Sequence, residues 1–180
     1  ENALRRSAHQ EAVTHLTKAL ELLKALPKSP EHAREELSLY LLLGTALIVT
    51  KGYAAPDVEH TFARARALCQ VMGDTAQLFP VLSGLFAFYL TKGDLATARD
   101  LAEQCLQLAE AAQDTVFLIE SHRMLTNVFH FLGESVAAVR HANCALALYD
   151  PRQHRTLAFV FGQDPAVVCH TFASFNLRVL

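Results

Sequence analysis

The sequence predicts an all-α protein, built as a right-handed α-α superhelix of about four helical hairpins and truncated at both ends. Three observations carry this expectation. An echo with a period of about forty positions runs along the chain, and apolar residues recur at helical spacing. No stretch alternates at period two for long enough to demand a strand.

The echo shows first in the glycines. The interval from Gly93 to Gly133 is the same as that from Ala98 to Ala138 and from Val58 to Ala98. Ala102 and Cys105 follow Ala98 as Ala142 and Ala145 follow Ala138, and Phe62 and Ala65 follow Val58. An earlier copy is Ala12, Leu16 and Ala19, displaced by the Leu26 to Pro30 break and the Tyr53 to Pro56 turn. Four residues before Gly52, Gly93 and Gly133 stand Ile48, Tyr89 and Phe129; eight before stand Gly44, Leu85 and Leu125. Such spacings put side chains on one helical face. Each unit therefore reads as two helices joined at a glycine turn, where the left-handed conformation ends a helix without a Cβ clash.

Taken in order, the expected helices are 8–26, 31–50, 56–72, 75–92, 95–113, 115–132, 135–149 and 166–180. Pro27 and Pro30 stop one helix and start the next, and Pro56 suits a first turn. Asp74, Asp94 and Asp114 stand where a carboxylate can accept the free N–H groups of a helix start. The units are about 1–26, 31–72, 75–113 and 115–149, in one domain spanning 1–180. A connector, 150–165, leads to the start of a further unit at 166–180. Glu1 to Ser7 reads as the tail of a helix. The whole is expected to be a piece of a longer array, since stacked pairs bury their apolar faces only against neighbours.

Composition excludes several classes. Of 180 residues, 52% are hydrophobic and 19% charged, with mean hydropathy +0.19, which is too apolar for a disordered chain. A formal charge of −2 and a pI near 6.5 supply no basic field for nucleic acid. The uncharged stretch from Thr75 to Thr91 falls short of the roughly 20 apolar residues of a membrane span, so no membrane partner is expected. The opening residues are polar, with Arg5 and Arg6, and Cys69, Cys105, Cys144 and Cys169 form no CxxC pair. A reduced, cytoplasmic setting with core thiols follows as the expectation.

Chemistry is hard to place. There is no GK[ST] phosphate loop, no HExxH, no two histidines at i, i+4 and no GxSxG turn. The expectation is a non-enzymatic chain with no cofactor and no metal. The segment 150–165 is either a recognition or hinge loop or a connector packed through Leu157, Phe159, Val160 and Phe161. The acidic excess of 101–150 and the basic excess of 151–180 suit either a contact between them or a solvated face.

The small-residue pattern after each glycine resembles the tetratricopeptide repeat, although these units are longer than that repeat's usual 34 or so positions. Leu82 and His122 stand where that repeat has a large aromatic, and there is no Trp. The stretches EAVTHLTKALELLKALP, ELSLYLLLGTALIVTKGYAAPDVEHTFARARALC, LFPVLSGLFAFYLTKGDLATARDLAEQCLQLA and ALYDPRQHRTLAFVFGQDPAVVC resemble the C-terminal repeat region of predicted bacterial ATPases often fused to adenylate or guanylate cyclase domains. The resemblance implies nucleotide-binding and cyclase domains upstream, none of whose catalytic residues fall in this segment. It also implies a trough lined by the first helices, at Ser83, Ala87 and Leu90, at Glu120, Arg123, Asn127 and His130, and at Leu42, Ala46 and Val49. Arg123 and Asn127, at i, i+4, loosely resemble a peptide-carboxylate clamp. The expected partner is a protein or peptide, or another domain of the same polypeptide. The alternatives are a small-molecule sensor holding an inducer in the trough, and self-association through exposed end helices.

Overall fold

A computed structural model describes residues 2–27 and 29–180, with side chains from Ala8 onward. The side chains of Glu1 to Ser7 lie outside the described residues. The helices are α1 (Asn2–Lys24), α2 (Pro30–Lys51), α3 (Pro56–Met72), α4 (Leu78–Lys92), α5 (Leu95–Ala112), α6 (Thr115–Phe131), α7 (Ser135–Leu148), α8 (Pro151–His154), α9 (Leu157–Phe161) and α10 (Pro165–Leu177). No strand occurs among the described residues, so the fold is all-α. The chain divides into two compact units, residues 1–93 and 94–180. In the first, α2 packs on α1, α3 and α4, and α3 packs on α4. In the second, α6 packs on α5, α7 and α10, and α10 also packs on α7.

The repeat seen in the sequence is a repeat of burial. Val58, Phe62, Ala65 and Cys69 on α3 are at most 4% exposed, and so are Ala98, Ala102, Cys105 and Ala109 on α5 and Ala138, Ala142 and Ala145 on α7. Spacings of four and three set each stripe on one face. Small side chains there let the neighbouring helix approach closely. Phe62 is the large exception. Its ring is accommodated by two mid-helix glycines: a Cβ on Gly44 of α2 or on Gly84 of α4 would collide with it.

Helix ends repeat as well. Gly73 and Gln113, equivalent positions one period apart, both take left-handed backbone, with φ of 66° and 52°. The next residue in each case donates its N–H back across the helix end, Asp74 to the Cys69 carbonyl and Asp114 to that of Ala109. Each aspartate then turns to the following helix. Asp114 accepts the N–H of Phe117 at 3.0 Å, and Asp74 accepts those of Ala76 and Gln77 at 3.1 Å. Thr75 to Gln77 form a turn in which the Leu78 N–H donates to the Thr75 carbonyl at 3.3 Å, so α4 begins at Leu78 rather than at the expected position 75.

Two expectations change. The stretch 150–165 is not irregular throughout, because it contains α8 and α9. Of the four residues expected to pack it, only Leu157 is buried; Phe161 is half-buried, and Phe159 and Val160 are exposed. Among the cysteines, Cys69, Cys105 and Cys169 are core thiols, but Cys144 is exposed. Burial pushes the thiol of Cys169 up to about 11 and raises that of Cys105 further, which disfavours the thiolate at both.

Candidate functional site

The expected trough residues separate by unit. On α4 of the first unit, Ser83, Ala87 and Leu90 are half-buried and share one face at i, i+4 and i+7. On α2, Leu42 is 59% exposed and Val49 47%, again on one face, whereas Ala46 belongs to the core. Thr45, between them, is exposed and turns its hydroxyl back to the Leu41 carbonyl at 3.0 Å. Polar demand on this strip is therefore met internally, and what it presents outward is methyl groups.

On α6 of the second unit the picture differs. Glu120 is 1% exposed and Arg123 8%. The guanidinium grips the carboxylate with two parallel bonds, Nε to Oε2 at 2.7 Å and a terminal nitrogen to Oε1 at 2.5 Å. Asn127, 6% exposed, follows one turn on, and its buried Oδ1 has no hydrogen-bond partner among the described residues. His130 accepts at Nδ1 from the Asn176 amide of α10 at 3.0 Å, and its ring lies 4.7 Å from that of Phe172. The same amide also donates to the Phe172 carbonyl at 2.7 Å. Arg123 and Asn127 do share a face, but they are buried where α10 packs on α6, and Arg123 already holds an internal carboxylate. Such pairs fix packing register more than they add net stability.

The histidine pair in this unit was not anticipated. Nδ1 of His122 on α6 lies 3.0 Å from Nδ1 of His141 on α7, and the His141 ring stacks on Phe129. His122 stands eleven residues before Gly133 and His141 eight after it, on the two arms of the helical hairpin that this turn closes. Tyr89 and Glu59 likewise stand on either side of Gly73, and their side chains bond at 2.6 Å. Burial depresses the His122 imidazole, opposed by Glu110. His141 is held down to about 4, first by burial, then by His122 and Arg140, with Glu103 opposing. One ring must donate and the other accept, so two protonated rings cannot share this contact. Unfolded histidine titrates near 6.5. Between pH 6.5 and about 4 the unfolded chain therefore binds more protons, and stability falls as pH falls through that window. After discounting for half-exposure, the loss is about 1 kcal/mol. Between pH 7 and pH 4, wild type should lose about 3 °C more in Tm than His141→Phe. Equal losses in differential scanning calorimetry would show that the pair carries no proton linkage.

Among the described residues, no three His, Cys, Asp or Glu side chains are placed to hold a metal ion, and no helix is long and apolar enough to cross a membrane. No protein-family model, curated protein or solved structure matches the chain.

Proposed function

We propose that this chain is a non-enzymatic helical-repeat scaffold that binds a protein or peptide segment, or another domain of its own polypeptide. In this reading its helix pairs continue as a right-handed superhelix of tetratricopeptide type. It serves as a regulatory segment of a larger signalling ATPase of the kind often fused to cyclase domains, in the cytoplasm. The sequence resemblance and the periodic register of buried positions support the repeat assignment. The outward apolar strip of Leu42 and Val49 on α2 carries the binding assignment. Two apolar side chains one heptad apart suit the i, i+7 anchors of an amphipathic helix or the side chains of an apolar peptide. The half-buried Ser83, Ala87 and Leu90 extend the same kind of small, apolar lining on α4.

The test is Leu42→Glu/Val49→Glu. Both side chains are about half exposed or more, so helicity and Tm should hold within a few degrees. Crosslinking mass spectrometry in cell extract should recover a partner with wild type and lose at least about 90% of it with the variant, since buried charges oppose an apolar contact by several kcal/mol. Equal recovery overturns the assignment to α2. A self-association reading has its own observation, the exposed Phe175, Leu177 and Val179 around the end of α10. Sedimentation of wild type separates the two, because a dimer abolished by Phe175→Ser places that contact between copies.

A further inference from the structure

The second unit holds a cavity of about 720 Å³ where α8 faces the start of α10. This lies within the usual range for small-ligand sites, roughly 300–1,000 Å³. Its lining is of two kinds. Tyr149, Pro151, Ala166 and Val167 give this open groove an apolar side, and the exposed Arg152, Arg155 and His170 supply nitrogen donors.

The segment that carries the arginines is fixed from below. Asp150 caps α8 by accepting the Arg152 N–H at 2.9 Å, and it also takes the Gln153 side-chain amide at 3.0 Å. The Asp150 N–H donates to Nδ1 of His154, a buried residue, at 2.9 Å, and Pro151 restricts the first turn. Arg152 on α8 and Arg155, the residue that caps its C-terminal end, are one turn apart. Neither has a carboxylate partner among the described residues. The one acid in the lining, Asp164, is already engaged. Its Oδ2 accepts the Tyr149 hydroxyl at 2.9 Å, and its Oδ1 accepts the N–H groups of Ala166 at 2.9 Å and Val167 at 3.4 Å. The α10 amino end offsets that charge. Two guanidinium forks are thus left beside a groove with an apolar side.

We propose that this cavity binds a small organic anion, a phosphate monoester with an apolar body. The two forks select the head group. A monocarboxylate occupies one fork, whereas a dianion with three terminal oxygens can accept from both. The apolar side selects the body, since an aryl or alkyl group would cover Pro151, Ala166 and Val167 and leave the head to the arginines. Nothing in this site uses the strip on α2, so it stands apart from the scaffold reading.

Phenyl phosphate is the probe, with inorganic phosphate and phenylacetate as its two halves, each titrated by isothermal calorimetry. Phenyl phosphate should bind saturably and at least about tenfold more tightly than either half, about 1.4 kcal/mol per tenfold. Arg152→Gln/Arg155→Gln should lower its affinity by at least about tenfold with an unchanged melting curve, as both side chains are exposed. Val167→Trp, at a position 63% exposed, should block the apolar side and abolish binding without touching charge. No saturable binding by about 10 mM overturns the proposal, as does unchanged affinity in both variants. Phenylacetate binding as tightly as phenyl phosphate overturns the phosphate assignment, and inorganic phosphate doing so overturns the role of the apolar side.

Discussion

Gly84→Ala should destabilise the first unit by about 2 kcal/mol, although alanine is the better helix former by about 1 kcal/mol. The new methyl would overlap the Phe62 ring, and the ring cannot retreat, because Gly44 of α2 meets it from another helix just as closely. Phe62 is 4% exposed, so it has no route to solvent either. Overpacking of this kind costs roughly 1–3 kcal/mol and falls at the upper end where the neighbour is pinned. The clearer signature is a change of sign. Phe62→Ala alone leaves a cavity and should cost about 3–5 kcal/mol. In that background the collision is gone, and Gly84→Ala should then raise Tm through helix propensity and partial filling of the void. Thermal unfolding of the four proteins, followed by circular dichroism, measures this cycle. If Gly84→Ala moves Tm in the same direction in both backgrounds, the wedge is not what these glycines serve.

This wedge also marks how far the residues alone could be read. The repeat was legible because its stripe positions need small side chains wherever two helices cross closely, and the chain keeps Ala98, Ala102, Ala138 and Ala142 in strict register. Phe62 sits in the alanine register, and Gly44 of α2 and Gly84 of α4, one on each flanking helix, compensate it. In the second unit the same register places buried Met124 where the glycines were, and alanines where the phenylalanine was. Large and small have changed places while the sum stays near constant, which is why the echo survives its exceptions. Helix ends were legible for a local reason, since the caps act within a few residues. The candidate site was less so. Whether Arg123 faces solvent or the core depends on α10, which lies far along the chain from α6 and whose packing there is not announced by any local pattern. The same holds for His122 and His141, which meet only because the turn at Gly133 makes a hairpin of their two helices. The arginines of α8 were visible as a basic excess, but their cavity exists only once α10 is placed.

The second large effect is expected at Glu120. Glu120→Ala removes the carboxylate that the Arg123 fork holds, at a place where the guanidinium is 8% exposed. Breaking a buried pair from one side costs about 3–5 kcal/mol, because the guanidinium loses its bidentate carboxylate while it stays buried, whereas replacing both partners by apolar residues of similar volume is often neutral or stabilising. Glu120→Leu/Arg123→Met should therefore be more stable than Glu120→Ala by at least about 3 kcal/mol, although it carries the extra substitution. Urea unfolding monitored by circular dichroism gives both values. The same variants separate an internal latch from a ligand clamp. In Glu120→Ala the vacated space beside the guanidinium is the size of a small carboxylate, so formate at about 100 mM should restore part of the lost stability by mass action. It should restore none in Glu120→Leu/Arg123→Met. Stability of Glu120→Ala equal to wild type would mean that the pair is dispensable. A double variant as unstable as Glu120→Ala would mean that the charges add more than register. Recovery with formate would assign Arg123 its role: a carboxylate-gripping group, of the chemistry the sequence suggested, that the fold has turned inward and satisfied with its own Glu120.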